Sequence, residues 1–464
     1  MTQGMLERIG AAVWGWPMMV LLVGVGVLFT VRLRGLQFRR LGQAFRLIFR
    51  RAEGECSSYS ALCTALAATI GTGNIVGVAT AMAAGGPGAL FWMVLTAFFG
   101  MATQYAEGFL AVKYRRKTTN GWFGGPFCYI EQGLGKRFRP LAVGFAVIGS
   151  AVGILGVGTV TQVNSITSAA ERFFGSDGPA MVVFGRSYSW SVVLTGLAVT
   201  ILSALVLLGG AKRVRSACEF IVPFMSVLYI TVCLAILLRN LPEIPAALRL
   251  IVKSAFAPKA ALGAAAGIGL RQVLRMGIGR GVFTNEAGLG TSPIAAATAG
   301  TDPVAQGLVT MTGTFIDTVV ICSLTGLTLV VTNAWNSGLD GAQIADYAWC
   351  AALPLPESLS SFLMFLCLAF FAFATIIGWN FYGERCLIYL TGGKGVRLYR
   401  AAYLLSVAVG PFFTVSAAWE LADILNAFLA VPNLTALLLL QNVCVRETRG
   451  GLNGVGGHGR AVKK

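Results

Sequence analysis

The chain has 464 residues, 56% of them hydrophobic and only 12% charged, with a mean hydropathy of +0.73. A soluble domain needs about a quarter of its residues charged to cover its surface, so a water-soluble exterior is excluded. The formal net charge of +17 reads as loop bias and not as a nucleic-acid footprint, because the basic residues fall between long apolar stretches.

Each of those stretches runs to about 20 residues, enough to cross about 30 Å of hydrocarbon. A bilayer offers no water to peptide groups, so such stretches must be helices. Eleven spans are expected: 12–31, 57–84, 88–112, 141–171, 190–209, 216–238, 261–298, 304–332, 359–384, 398–415 and 417–441. The first is read as a retained span, since no small-residue cleavage pattern follows it. Gly85-Gly86-Pro87-Gly88 reads as a tight turn between the second and third.

With the N-terminus outside and the C-terminus in the cytoplasm, 26 Lys and Arg fall on the cytoplasmic side and seven on the outer side. That split follows the positive-inside rule. Residues 35–52, with arginines among apolar residues, read as an amphipathic helix on the cytoplasmic surface. The 10 Cys include no C-x-x-C pair. Cys63, Cys218, Cys233, Cys322 and Cys367 fall in apolar runs and read as small buried hydrophobes. A single histidine, His458, argues against a His-based metal or triad site.

Two spans are interrupted. The second carries Gly71-Thr72-Gly73-Asn74 near its centre, where each glycine costs about 1 kcal/mol relative to alanine in a helix. The seventh, broken near Gly279, packs five glycines with Arg280, Asn285 and Glu286 between Gly277 and Gly290. Small-residue packing explains the first segment taken alone. It does not explain two such segments at matching places, each opening a set of five spans. An odd number of spans per set gives the sets opposite orientations. Paired breaks of this kind point to a substrate site at the bilayer midplane.

Residues 71–115 and 275–297 resemble signature stretches of the alanine or glycine:cation symporter family. So do 161–166, 313–318, 371–386 and 419–434, so that the resemblance runs in order along nearly the whole chain. It implies an all-α membrane protein of eleven helices, similar in architecture to the bacterial leucine transporter, with an inverted 5+5 repeat after one extra helix. The divisions are then 1–56 for the first helix and its basic helix, 57–238 and 239–441 for the two repeats, and 442–464 for a basic tail. The implied function is sodium- or proton-coupled symport of a small neutral amino acid, in the plasma membrane, the bacterial inner membrane.

The resemblance also implies site residues. Substrate sits between the breaks, its carboxylate on amides near Gly71, Thr72 and Gly73 and its ammonium on carbonyls around Phe283 and Thr284, with Asn285 adjoining. Gln162, read as mid-helix in the fourth span, either contacts substrate or makes an interhelical hydrogen bond. Trp379 limits the pocket or simply packs, and Asn426 is a further contact or a structural amide. For the cation, the carbonyls of Ala67 and Ile70 join the Thr375 hydroxyl, and Asn74 is an alternative ligand. The family often carries a second hydroxyl where this chain has Ala374, which puts ion identity or affinity in question. Asp317, costly at mid-membrane, either serves coupling, as cation ligand or proton carrier, or pairs with a partner such as Arg275 or Arg280. Glu286 is read as a partner for Arg280, and Glu107 as a structural contact at the cytoplasmic end of the third span.

No cofactor, nucleic acid or obligate protein partner is expected; the partners are the amino acid, a monovalent cation and the bilayer. An embedded enzyme would need ligand or nucleophile clusters that do not stand out, and a channel would need rings from several subunits. A sensor that binds amino acid without transport remains open, as does the choice among alanine, glycine, serine and glutamine.

Overall fold

The computed structural model describes residues 10, 13–50, 56–119, 121–175, 180–183, 185–257, 269–413 and 415–452. Most of the tail expected at 442–464, with His458, lies outside the described residues, as do Arg8, Arg51, Lys259 and positions 261–268 of the seventh span.

Among the described residues seven helices are long and apolar enough to cross a membrane, and eight if one bent pair counts as a single span. In chain order the elements begin with α1 (Trp16–Arg32), a one-turn helix Leu36–Arg39 and α2 (Leu41–Ile48). Next come α3 (Ser58–Thr69), α4 (Gly73–Gly85), α5 (Gly88–Lys113), a hairpin of β1 (Arg116–Thr118) and β2 (Gly121–Phe123), and α6 (Pro126–Gly133). Then α7 (Arg139–Leu155), α8 (Val160–Phe174), a second hairpin β3 (Ala180–Val183) and β4 (Arg186–Ser189), α9 (Trp190–Leu207), α10 (Gly210–Arg239) and α11 (Ile244–Phe256) follow. The rest are α12 (Leu270–Asn285), α13 (Ser292–Ala296), α14 (Pro303–Val331), α15 (Ala342–Ala352), α16 (Glu357–Thr391), α17 (Val396–Val409) and α18 (Val415–Gly451).

Lipid tails provide no hydrophobic drive between helices, so close approach through small residues holds the bundle. α5 runs against α12 and α14. A Cβ at Gly307 of α14 would stand 2.9 Å from the Tyr105 ring, and one at Gly277 of α12 would strike the Ala89 carbonyl. α16 lies against α3, α7 and α8. The outward faces are apolar: Leu194, Leu197, Ile201 and Leu205 of α9 and Phe220, Val227 and Leu238 of α10 are exposed. Of the ten cysteines nine are buried and all are free thiols.

Three expectations are corrected. The seventh span does not break at Gly279: α12 stays helical to Asn285, and the chain unwinds over Glu286–Thr291. Gly277 and Gly281 serve the close approach to α5, since a side chain at either would meet it. The fourth span is itself interrupted, at Gly156–Thr159, so Gln162 lies in the first turn of α8 and not mid-helix. Finally, in the described part of the amphipathic segment expected at 35–52, the helix ends at Ile48 and comprises α2 and the turn before it. α2 buries Ala44, Leu47 and Ile48 and packs Phe45 edge-on to Phe315 of α14, so part of its apolar face meets protein.

Candidate substrate and cation site

The first break begins where α3 ends. Ile70, at φ −77° and ψ 91°, leaves the helix, and α4 resumes at Gly73 with a π-helical turn, Gly73–Gly77, at 54° to α3. A helix end leaves carbonyls without intrahelical partners and a partial negative charge. Thr375 of α16 stands against this end: a Cβ at Gly71 would collide with its hydroxyl. Three residues on, a Cβ at Gly378 would lie 2.7 Å from the Ala68 nitrogen and 3.1 Å from the Ala67 carbonyl carbon. Ala67, Ile70 and Thr375 are therefore neighbours, all buried, with Ala374 buried beside them.

Buried amides at a break need partners. Gly71 N–H donates to Asn74 Oδ1 at 2.9 Å. Gln162 Oε1 accepts from the Thr72 hydroxyl at 3.0 Å and lies 3.4 Å from Thr72 N, while its Nε2 donates to the Val157 carbonyl at 3.0 Å. Gln162 thus ties the first break to the one at Gly156–Thr159. Of the amides expected to take a carboxylate, those of Gly71 and Thr72 face side-chain oxygens, and Gln162 must turn aside to free Thr72.

The second break meets the first. A Cβ at Gly73 would contact Thr284 Oγ1 at 3.4 Å and Phe283 at 3.8 Å. Beyond Asn285 the backbone enters left-handed space at Glu286 (φ +55°), Gly288 (+92°) and Gly290 (+82°). At Glu286 this conformation carries a side-chain clash of about 1–2 kcal/mol. Neighbours compensate. Gly290 N–H donates to Glu107 Oε1 at 3.1 Å, and Asn433 Nδ2 donates to the same oxygen at 2.5 Å and to the Gly288 carbonyl at 2.9 Å. The Tyr129 hydroxyl donates to Asn433 Oδ1, and Thr291 donates to Glu286 Oε2 at 2.5 Å.

One chain of hydrogen bonds joins the two breaks. From Gly71 it passes through Asn74, whose Nδ2 donates to Asp317 Oδ1 at 2.7 Å. Thr318 donates to Asp317 Oδ2 at 2.6 Å, Asn285 Nδ2 donates to Thr318 Oγ1 at 3.1 Å, and Asn285 Oδ1 accepts Ala287 N–H at 3.0 Å. Asp317 is fully buried in a π-helical stretch of α14, Phe315–Cys322. The two expected alternatives for it thereby narrow. Its described partners are neutral, whereas Arg280 stands 3.9 Å from Asp423 and 5.7 Å from the Phe283 ring. Glu286 has Thr291 as its hydrogen-bond donor. Asn74, offered as an alternative cation ligand, has its oxygen on Gly71.

Trp379 is fully buried between breaks. Its side chain fills the space a Cβ at Gly158 would need, and its Nε1 has no hydrogen-bond partner among the described residues. Asn426 is buried in α18 but joins none of these contacts, and its Oδ1 has no hydrogen-bond partner among the described residues. Among the described residues no cluster of three His, Cys, Asp or Glu side chains is arranged to hold a metal ion. Sequence reasoning did not single out Thr318 or Asn433, although both lie in the stretches 313–318 and 419–434 that carry the resemblance, and it missed Tyr129 and the Gly156–Thr159 break. Only the last had a local signal, the Gly-Val-Gly-Thr run.

A family model described as the sodium:alanine symporter family matches residues 1–450. The chain belongs to this family. It is therefore a transporter and not an enzyme, a multi-pass membrane protein of a family of cation-coupled amino-acid symporters. The symporter is 48% identical over 453 residues to an uncharacterized transporter of Haemophilus influenzae, covering 96% of this chain and 95% of that one. It is 43% identical over 458 residues to the sodium/alanine symporter AgcS of Methanococcus maripaludis, covering 96% of each. The probable sodium/glutamine symporter GlnT of Bacillus subtilis is 36% identical over 438 residues, covering 93% of this chain and 86% of its own.

Proposed function

We propose that the symporter carries alanine or glycine with sodium by alternating access, binding both between the breaks at Ile70–Thr72 and Glu286–Thr291. The observation that carries this reading is the contact of Gly73 with Phe283 and Thr284, which leaves helix ends of both signs at one buried place. Sodium binds at the carbonyls of Ala67 and Ile70 with Thr375, a neutral-oxygen cage suited to a hard monovalent ion. Substrate takes the amides of Gly71 to Gly73 once Gln162 withdraws, and Phe283 and Thr284 offer carbonyls to its ammonium. Trp379 caps the side-chain pocket and favours small substrates.

Asp317 couples the two events. A cation beside the first break draws on Asn74, and through Asp317 and Thr318 the change reaches Asn285 at the second. Eleven spans, the inverted repeats 57–238 and 239–441, an outer N-terminus and a cytoplasmic C-terminus in the plasma membrane complete the proposal. The 26-to-7 split of basic residues supports the orientation.

A second reading rests on the 36% identity to a probable glutamine symporter: glutamine or serine as cargo. Counterflow of labelled alanine in proteoliposomes loaded with alanine, glycine, serine or glutamine separates these. Alanine and glycine are expected to drive exchange best, and glutamine driving it better than alanine reverses the assignment. Binding without exchange under any sodium or pH gradient identifies a sensor.

A further inference from the structure

A second polar site lies away from the breaks. A cavity of about 710 Å³ opens between the start of α3, the start of α10 and the end of α16, beneath the β1–β2 hairpin. Its wall carries Lys212, Arg215, Arg385 and Arg400 against Glu219 and Glu384. Glu384 is already committed: Arg400 grips it with two bonds, 2.7 and 2.9 Å long. Lys212, Arg215 and Arg385 then face one remaining acid, Glu219, which makes no ion pair among the described residues.

Arg385 is the unusual member. It is only 8% exposed, its Nε has no acceptor among the described residues, and its guanidinium lies 5.0 Å from the Phe381 ring centre and 5.9 Å from that of Phe123. Aromatic faces hold a guanidinium in place but do not replace the hydrogen bonds it loses on burial. A buried cation is retained where an anion or water completes it, and a planar guanidinium matches a carboxylate or phosphate with two parallel bonds. Glu384 lies nine residues from Thr375 along α16, about 14 Å at 1.5 Å per residue, so this cavity is separate from the site between the breaks.

We propose that this cavity is an oxyanion site, with Arg385 as its central ligand and Arg215 and Lys212 closing on the same group. Free phosphate and the headgroup of an anionic lipid share the required chemistry. The proposal does not depend on what the symporter carries, and its test measures no transport.

Thermal unfolding of the purified full-length protein is followed with inorganic phosphate against chloride at equal ionic strength. In parallel it is followed in nanodiscs with and without phosphatidylglycerol. Wild type is expected to gain about 2 °C or more in Tm from phosphate, from phosphatidylglycerol, or from both, since a ligand that binds only the folded state raises its stability. Phosphate alone marks a soluble anion as the source, and phosphatidylglycerol alone marks a headgroup. Arg385→Gln is expected to abolish the gain and Arg385→Lys to keep part of it. Arg215→Gln and Lys212→Gln, on the cavity wall, are expected to reduce it, which keeps the test open should Arg385→Gln fail to fold. No gain in wild type from either probe, or gains unchanged in Arg215→Gln and Lys212→Gln, overturns the proposal.

Discussion

The two breaks solve the same problem by different means. At Ile70–Thr72 the gap is short, its partners are neutral, and the side chains that cover its amides, Gln162 and Asn74, come from α8 and α4. At Glu286–Thr291 the gap is longer, it passes through three left-handed residues, and Glu107, Asn433 and Tyr129 pin it from α5, α18 and α6. The first is covered by groups that a carboxylate or cation can displace. The second is held by a buried network whose disruption leaves polar groups orphaned. On the proposed reading the first break carries the contacts that ligands displace, the second holds a fixed wall that presents Phe283 and Thr284, and Asp317 is the link.

The sharpest way to break this contrast is at Gly71, where any side chain collides with Thr375. Gly71→Ala is expected to lower labelled-alanine uptake by a factor of about 100, from overpacking of about 1–3 kcal/mol and displacement of the cation cage. The protein is expected to remain in the membrane, and Thr375→Gly in the same chain should not restore sodium dependence. Next, Gln162→Ala removes the acceptor over Thr72 and a bond to Val157. It is expected to shift the alanine KM about tenfold, worth about 1.4 kcal/mol, with a smaller effect on kcat.

At the second break the expected readout changes. Asn433→Ala strips Glu107, Gly288 and Tyr129 of a shared partner, and about 1–3 kcal/mol of stability goes with it. A lowered Tm with KM within about twofold of wild type fits a scaffold role. A tenfold change in KM at full Tm would move ligand binding to the second break instead. The smallest effect is expected from Ala374→Ser, which adds a hydroxyl beside Thr375. Half-saturation by sodium in the uptake assay should fall several-fold, and an unchanged value would place the ion elsewhere.

Much of this was legible in the sequence because its causes are local. Apolar length dictates helices in a bilayer, and Gly71-Thr72-Gly73-Asn74 lies at the observed first break. The second break was found but misplaced. Glycine marks both an unwound segment and a close helix crossing, and only the neighbour, α5 in this case, tells Gly277 from Gly288. The break at Gly156–Thr159 was visible as Gly-Val-Gly-Thr and was absorbed into a span long enough to cross unbroken. The links from Asn74 to Asp317, 243 residues apart, and from Tyr129 to Asn433, 304 apart, have no local signature. They exist only once the bundle has formed.

The central claim, that the chain from Gly71 through Asp317 to Asn285 couples cation to substrate, is tested most directly by equilibrium binding. Binding of labelled alanine to the purified protein is measured with and without sodium, in wild type and in Asp317→Asn. Sodium is expected to tighten binding about tenfold in wild type, a coupling of about 1.4 kcal/mol, and to have little effect in the variant. Equal tightening in both proteins would contradict the account.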